Sequence, residues 1–313
     1  MKIAIAGAGA MGSRIGLMLH RAGNEVILID RWAAHIQMIR DHGLRANYNG
    51  EDIVEHMQIY SPEEIDAKHE SVDLIVALTK SMGLREMFEE IKPIITENTY
   101  VLSLMNGLGH AEDLAEFVDR DHIILGVTMW TAAMEGPGKV KLFGTGNIEL
   151  QNLAHAGAAF TQDVVQIFDD AGLNATYSQN VKYSIWRKAC VNGTLNGLCT
   201  ILDTNITGVG TTSTAAEMVQ TIINEFALVA AKEGIELDQT EVYEHITATY
   251  DPAGIGLHYP SMYQDLIKNQ RLTEIDYING AVAAKGKKYG ISTPYCTFLT
   301  QLVHAKEEIL GAK

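Results

Sequence analysis

Short apolar runs and stretches of helical period alternate along the first 180 residues. Residues 2–6 form a compact apolar run that reads as a buried strand, and residues 13–21 carry Ile15, Leu17, Met18 and Leu19 in a helical stretch. An apolar run at 25–29 and a helical pattern at 33–42 repeat the unit. Residues 44–60 alternate irregularly about Asn49-Gly50, a hairpin signal. Residues 72–78 are continuously apolar, as parallel strands buried on both faces must be. A helix is predicted at 81–91 and the next strand at 100–104, ending in Met105-Asn106-Gly107-Leu108-Gly109. Residues 122–133 are strand-like. Gly136-Pro137-Gly138 and Gly144-Thr145-Gly146 then punctuate a turn-rich, antiparallel region, followed by a helix at 160–170 and a last strand at 175–178.

From Val181 the period is helical to the end, with long patterns at 183–202, 215–232 and 273–289. The prediction is a Rossmann-type α/β domain with a doubly wound sheet over residues 1–180, then an all-helical domain over 181–313. The 47% hydrophobic content suffices for a core in each. Net charge is −15 with no dense Lys/Arg run, which excludes a nucleic-acid footprint but leaves small anionic substrates open to a local cluster of donors. No apolar stretch approaches the roughly 20 residues that span a bilayer, so no membrane partner is expected. The three cysteines, Cys190, Cys199 and Cys296, form no CxxC and read as buried small hydrophobes in a reducing compartment. Met1 leads straight into the first strand, and a cytoplasmic protein is expected. The eleven histidines lack metal spacing. His304 and Glu307 share a helical face, which reads as solvated surface, and no metal is expected.

The first chemical signal is Gly7-Ala8-Gly9-Ala10-Met11-Gly12, set between a strand and a helix. In that context G-x-G-x-x-G is a dinucleotide fingerprint. Gly7 makes the tight turn, Gly9 lets backbone approach a pyrophosphate, and Gly12 lets helix and strand close up. The anion then rests on the N–H groups of the helix N-terminus, around Ala10 and Met11. Asp30 ends the second strand, eighteen residues past Gly12. There an acid accepts hydrogen bonds from the adenosine ribose and repels a 2′-phosphate, which favours NAD over NADP. Arg31 leaves the alternative open, since it could pair with a 2′-phosphate if Asp30 turned away.

Two further clusters stand out. Asn106 followed by glycine lies at the carboxyl end of a predicted parallel strand, the edge where open α/β sheets bind ligands, although a plain turn asparagine would look the same. Lys188, Asn192 and Asn196 stand four residues apart, so one helical face carries an ammonium and two amides among apolar neighbours. Such a row is costly inside a helix unless something uses it. Thr273-Glu274-Ile275-Asp276 predicts a capped helix start, Thr273 and Asp276 forming a box-like pair and Glu274 lying in the first turn, where the helix dipole alone would favour an acid.

In this order, the Gly7–Gly12 fingerprint, Asn106-Gly107, Gly126-Val127-Thr128, Gly136-Pro137-Gly138, Trp186-Arg187-Lys188 with Asn192 and Asn196, and Ser261-Met262 with Thr273-Glu274-Ile275-Asp276 resemble the ketopantoate reductase family over nearly the whole chain. The resemblance implies a nucleotide domain and a helical domain with the active site in the cleft between them. Lys188 matches the family's catalytic lysine, a general acid in reduction and a base in the reverse direction. Glu274 matches the glutamate that holds lysine and substrate. Asn106 matches the asparagine beside nicotinamide and substrate, Ser261 the carboxylate-binding serine, Asn192 and Asn196 substrate-side amides, and Lys80 a further lysine of the cofactor cleft.

Three departures shape the expected specificity. Asp30 breaks the pattern of the NADPH-preferring members. Met105 and Trp130 stand where the family often has glutamine and histidine; if they face the cleft, the pocket is more apolar and suits a branched or aromatic 2-oxo acid. Residues 203–208 are shifted relative to the family's asparagine-glycine pair, and the span from Ser261 to Glu274 is one residue longer than usual, which puts a third substrate-side asparagine in doubt. Together they resemble the family's NAD-dependent D-2-hydroxyacid dehydrogenase branch, to which D-mandelate dehydrogenases belong, acting on a small 2-oxo or 2-hydroxy acid. The runner-up is an NADPH-dependent 2-dehydropantoate 2-reductase. A nucleotide sensor without catalysis is disfavoured because Lys188, Glu274 and Asn106 are all present. Helical surfaces in the second half could support a homodimer.

Overall fold

The computed structural model describes residues 1–65 and 71–313. The chain divides into two compact units, one of residues 1–105 and 110–181, the other of 106–109 and 182–313. The four residues Asn106 to Gly109 thus cluster with the helical unit although they follow a strand of the first.

In the first unit the strands are β1 (Lys2–Ala6), β2 (Glu25–Ile29), β3 (Leu44–Tyr48), β4 (Glu51–Glu55), β5 (Gln58–Tyr60), β6 (Leu74–Ala77), β7 (Tyr100–Ser103), β8 (Ile123–Thr128), β9 (Thr131–Gly136), β10 (Lys139–Phe143), β11 (Ile148–Asn152) and β12 (Ala175–Tyr177). Its helices are α1 (Ala10–Arg21), α2 (Ala33–His42), α3 (Leu84–Glu90), α4 (His110–Leu114) and α5 (Ala158–Asp170). The main sheet has eight strands in the order β12-β11-β8-β7-β6-β1-β2-β5. Every neighbouring pair is parallel except β8 and β11, which run antiparallel. From β1 the chain builds through β2 to β5 on one side, then returns to β6 and builds outward on the other. The strand order therefore reverses at β1 and β6, and open α/β sheets bind ligands at the carboxyl edge of such a reversal.

A second sheet, β4-β3-β10-β9, was not legible as a sheet in the sequence. The stretch 122–133 is two strands in different sheets, with the change at Met129 and Trp130. A Cβ on Gly146 would lie 2.6 Å from the Trp130 nitrogen, so the two backbones meet at the crossing point. The β3–β4 hairpin turns at Asn49 and Gly50, both at positive φ, as the Asn-Gly signal required.

Trp130 is packed into the core of the first unit. Its indole is 6% exposed and donates to the Leu173 carbonyl at 2.7 Å. Above it, at 4.0 Å, lies the guanidinium of Arg14, a fully buried residue of α1 that also donates to the carbonyls of Thr131 and Phe143. Arg14 thus ties α1 to the second sheet, and Trp130 is part of that tie. Met105 is also buried, with the Thr79 hydroxyl 4.0 Å from its sulfur.

The second unit is helical: α6 (Val181–Leu202), α7 (Ile206–Gly210), α8 (Ala215–Lys232), α9 (Gln239–Ala248), α10 (Ser261–Tyr263, continuing as a π-helical turn over Gln264–Lys268), α11 (Asn279–Tyr289) and α12 (Pro294–Leu310). α6 is buried on several sides because its glycines admit neighbours. A Cβ on Gly193 would lie 2.4 Å from the Phe226 ring of α8, and one on Gly197 2.6 Å from Leu299 of α12. The core includes Trp186, Phe226, Val229, Ile275 and Val303, together with the three cysteines, all free and buried. Among the described residues no helix is long and apolar enough to cross a membrane.

The capped helix expected from Thr273 does not form. Ile275–Tyr277 is a single 3-10 turn and α11 begins at Asn279. The Thr273 hydroxyl accepts from the Ile275 N–H at 3.3 Å, while Asp276, instead of reaching back, bonds His304. Glu307 is not solvated surface either: it is 5% exposed and accepts the Thr273 N–H at 2.7 Å.

Candidate active site

In the first unit the fingerprint loop joins β1 to α1. Gly7 has φ +99°, and a Cβ there would lie 2.6 Å from the backbone nitrogen of Thr79. Only glycine fits that turn. Gly9 precedes α1, and the space its Cβ would fill is open, which leaves its backbone accessible to a ligand. A Cβ on Gly12 would lie 1.9 Å from the Gly7 carbonyl oxygen, so the helix rests on the turn itself. The first intrahelical bond runs from the Ser13 N–H to the Gly9 carbonyl at 2.8 Å, so by helix geometry the preceding N–H groups, those of Ala10, Met11 and Gly12, point out of the helix end. This cradle fits a pyrophosphate. Gly12→Ala is expected to weaken dinucleotide binding and to lower stability by about 1–3 kcal/mol, the usual cost of overpacking, as fluorescence titration and thermal melting would record.

Asp30, half-buried at the end of β2, accepts the Trp32 N–H at 2.8 Å. Arg31 beside it is engaged by two acids of α3: it bonds Glu86, and its Nη2 lies 2.8 Å from Glu90. Lys80, exposed, sits just past β6 and starts the turn Ser81–Gly83.

In the second unit, Asn106, Asn196, Ser261, Met262, Asp265, Glu274 and Ile278 line one pocket. Asn196 comes from α6, Ser261 and Asp265 from successive turns of α10 and its π-helical continuation, and Glu274 from the strap before α11. Asn106 is set by its own loop: the Leu108 N–H donates to the Tyr277 carbonyl at 2.8 Å, and Gly107, at φ +97°, comes so close that a Cβ would lie 2.5 Å from that oxygen. Lys188 and Asn192 stand two turns and one turn before Asn196, both half-buried. Arg187 anchors this part of α6 through Glu241 of α9, with Nε to Oε2 at 2.8 Å. Burial of the Lys188 ammonium lowers its pKa to about 8, against the partial compensation of the Glu274 charge. The sequence reading missed Asp265, 4% exposed and paired with Arg271 at 2.7 Å. Its i+4 spacing from Ser261 was the available signal. Met262 and Ile278, not Trp130, supply the apolar lining.

Chemically, the pocket offers carboxylates, two amides and a hydroxyl. Lys188 and Asn192 are not among its lining residues, but Lys188, a cation that can change protonation near neutral pH, is coupled through charge to the lining Glu274 carboxylate. Among the described residues no cluster of three or more His, Cys, Asp or Glu could hold a metal ion. The ketopantoate reductase PanE/ApbA family profile matches residues 3–155, and its C-terminal counterpart matches residues 180–307. The chain belongs to the ketopantoate reductase family, and so is a nicotinamide-dependent oxidoreductase acting on the CH–OH group of a 2-hydroxy acid. It is 59% identical over 313 residues, the full length of both chains, to a 2-dehydropantoate 2-reductase of Lactococcus lactis subsp. lactis strain IL1403. It is 44% identical over 311 residues, 99% of both chains, to one of Streptococcus pyogenes serotype M3. Among solved structures, the ternary structure of D-mandelate dehydrogenase with NADH and anilino(oxo)acetate superposes with a TM-score of 0.97 at 58% identity, over the whole of both chains.

Proposed function

We propose that this chain is an NAD-dependent D-2-hydroxyacid dehydrogenase that reduces a bulky, branched or aromatic 2-oxo acid to the R-2-hydroxy acid. The observation that carries the chemistry is the desolvated Lys188 ammonium next to Glu274, on the helix face that brings Asn196 to the pocket. A nicotinamide cofactor, when bound, supplies the hydride. Gly7, Gly9, Ala10, Met11 and Gly12 hold its pyrophosphate, with Asp30 on the ribose and Lys80 at the same sheet edge. Lys188 donates a proton to the ketone oxygen as negative charge develops there, and in the oxidative direction its neutral amine takes that proton back. Glu274 keeps the ammonium oriented and lifts its pKa part of the way back from the value that burial alone would set. Asn106, Asn192 and Asn196 bond the substrate oxygens, and Ser261 its carboxylate. Arg271 offsets the charge of Asp265, which lets an acid line a pocket for an anion. In this reading residues 1–180 form the dinucleotide domain and residues 181–313 the substrate domain.

Two observations support NAD and a bulky substrate. Arg31 is occupied by Glu86 and Glu90, which leaves Asp30 to meet the ribose. The D-mandelate dehydrogenase of the ternary structure is bound to NADH and to anilino(oxo)acetate, an aromatic oxo acid. A second reading, 2-dehydropantoate 2-reductase with NADPH, is favoured by the names of the Lactococcus and Streptococcus relatives. Initial rates with benzoylformate and with ketopantoate, each with NADH and NADPH, separate the two. We expect the highest kcat/KM for benzoylformate with NADH; a maximum for ketopantoate with NADPH would establish the second reading.

A further inference from the structure

The strap carrying Glu274 is held from outside the pocket by α12. Glu307 accepts the Thr273 N–H at 2.7 Å through Oε1, and its Oε2 lies 3.2 Å from Nδ1 of His304. The other ring nitrogen, Nε2, lies 2.9 Å from Oδ1 of Asp276. Thr273 and Asp276, on either side of Glu274, are therefore tied to one helix face through residues 304 and 307. Both imidazole nitrogens face carboxylate oxygens, and a ring can donate to both only as imidazolium. Burial lowers the His304 pKa, but hydrogen bonds and charge from Asp276 and Glu307 outweigh it and raise the value overall. Those two acids, one on the 3-10 turn and one on α12 itself, are the charged groups acting on the ring.

α12 is a firm anchor. Its first turn is capped by Glu225 of α8, 4% exposed, which accepts the N–H groups of Tyr295 and Cys296 at 2.9 and 2.7 Å. At its other end the strap reaches a second pocket residue, since the Tyr277 carbonyl holds the loop of Asn106. Neither His304 nor Glu307 lines the pocket.

We propose that His304 and Glu307 are positioning residues whose clamp on Thr273 and Asp276 holds Glu274 in register with Lys188 and, through Tyr277, steadies Asn106. The proposal rests on the reading of Lys188 and Glu274 as an acid–base pair. Because the Glu274 charge raises the Lys188 pKa, displacing Glu274 moves the alkaline limb of the reductive kcat–pH profile to lower pH. A role in fold stability alone would lower Tm and leave that limb in place.

The test compares the full-length His304→Ala, His304→Gln, Glu307→Gln, Glu274→Gln and His304→Ala/Glu274→Gln variants in kcat, KM, pH profile and Tm. His304→Ala is expected to lower kcat about tenfold, a modest share of what an ångström of misplacement can cost, with KM for NADH unchanged. It should shift the alkaline limb in the same direction as Glu274→Gln and add nothing in the Glu274→Gln background. His304→Gln and Glu307→Gln, which keep volume and one hydrogen bond, should fall between, and they carry the comparison if the alanine variant does not fold. A shifted Glu274→Gln profile with unshifted His304 and Glu307 variants, or additive effects, overturns the clamp alone. An unshifted Glu274→Gln profile overturns the acid–base reading and the clamp with it.

Discussion

Lys188→Ala is expected to lower kcat for 2-oxo acid reduction by about 10³-fold, close to 4 kcal/mol of transition-state stabilisation, with NADH affinity unchanged within about twofold. Positioned general acids contribute about 10²–10⁴-fold, and a donor aimed at a developing oxyanion about 10²–10³-fold; in the proposed mechanism one ammonium supplies both, so the effects overlap rather than multiply. The pH dependence identifies the group. With a pKa of about 8, Lys188 is mostly protonated at pH 7 and mostly neutral at pH 9. Reduction needs the protonated form, so its kcat falls as pH rises through 8, whereas oxidation of the hydroxy acid needs the neutral amine and rises over the same interval. Both limbs should vanish in Lys188→Ala. Lys188→Arg keeps the charge but cannot readily release its proton, and should retain oxyanion stabilisation while losing proton transfer. Steady-state kinetics in both directions across pH 6–10 read all of this, and unchanged turnover in Lys188→Ala would remove the lysine from the mechanism.

What the sequence could and could not carry follows from where each interaction is made. β1, β2, α2 and α8 were legible to the residue because their signals are local: apolar runs bounded by glycine or acid, and helical period with clear ends. The row on α6 was legible for the same reason, since residues four apart on a long helix must share a face. The sheet change at Met129 and Trp130 was not, because hydrophobicity continues through it and only the approach of Gly146 from another segment marks the crossing. Arg14 shows the same limit. A charged residue in the first turns of a helix gives no hint that it lies fully buried over an indole more than a hundred positions on. At Thr273 the local pattern misled outright, because the capping geometry it suggests was displaced by Glu307, thirty-four residues away. The pocket's acids divide similarly. Glu274 was found through family resemblance, while Asp265 was assigned no role, although its burial becomes intelligible once Arg271 is seen beside it.

Removing Asp30 together with the acids that occupy Arg31 is expected to turn the cofactor preference around. In Asp30→Ala the carboxylate proposed to repel a 2′-phosphate is gone, yet Arg31 stays bound to Glu86 and Glu90, both of which add negative charge near the end of β2. The single variant should therefore improve kcat/KM with NADPH about tenfold at most and lose some activity with NADH, whose ribose hydroxyls no longer have their acceptor. Asp30→Ala/Glu86→Gln/Glu90→Gln releases the guanidinium, which presents a planar fork matched to phosphate oxygens. The ratio of NADPH to NADH efficiency should then rise by about 10³-fold over the parent, because a repulsion is removed and the freed guanidinium forms charge-assisted hydrogen bonds to the 2′-phosphate. The Arg31 pairs lie at the surface and contribute little to stability, so the triple variant should melt within a few degrees of the parent. Adding Arg31→Ala to the triple variant should cancel the part of the increase that the guanidinium supplies. If Asp30→Ala alone fails to help NADPH, the repulsion account of Asp30 is wrong; if only the Glu86 and Glu90 changes fail to add, Arg31 does not reach the 2′ position and Asp30 discriminates unaided.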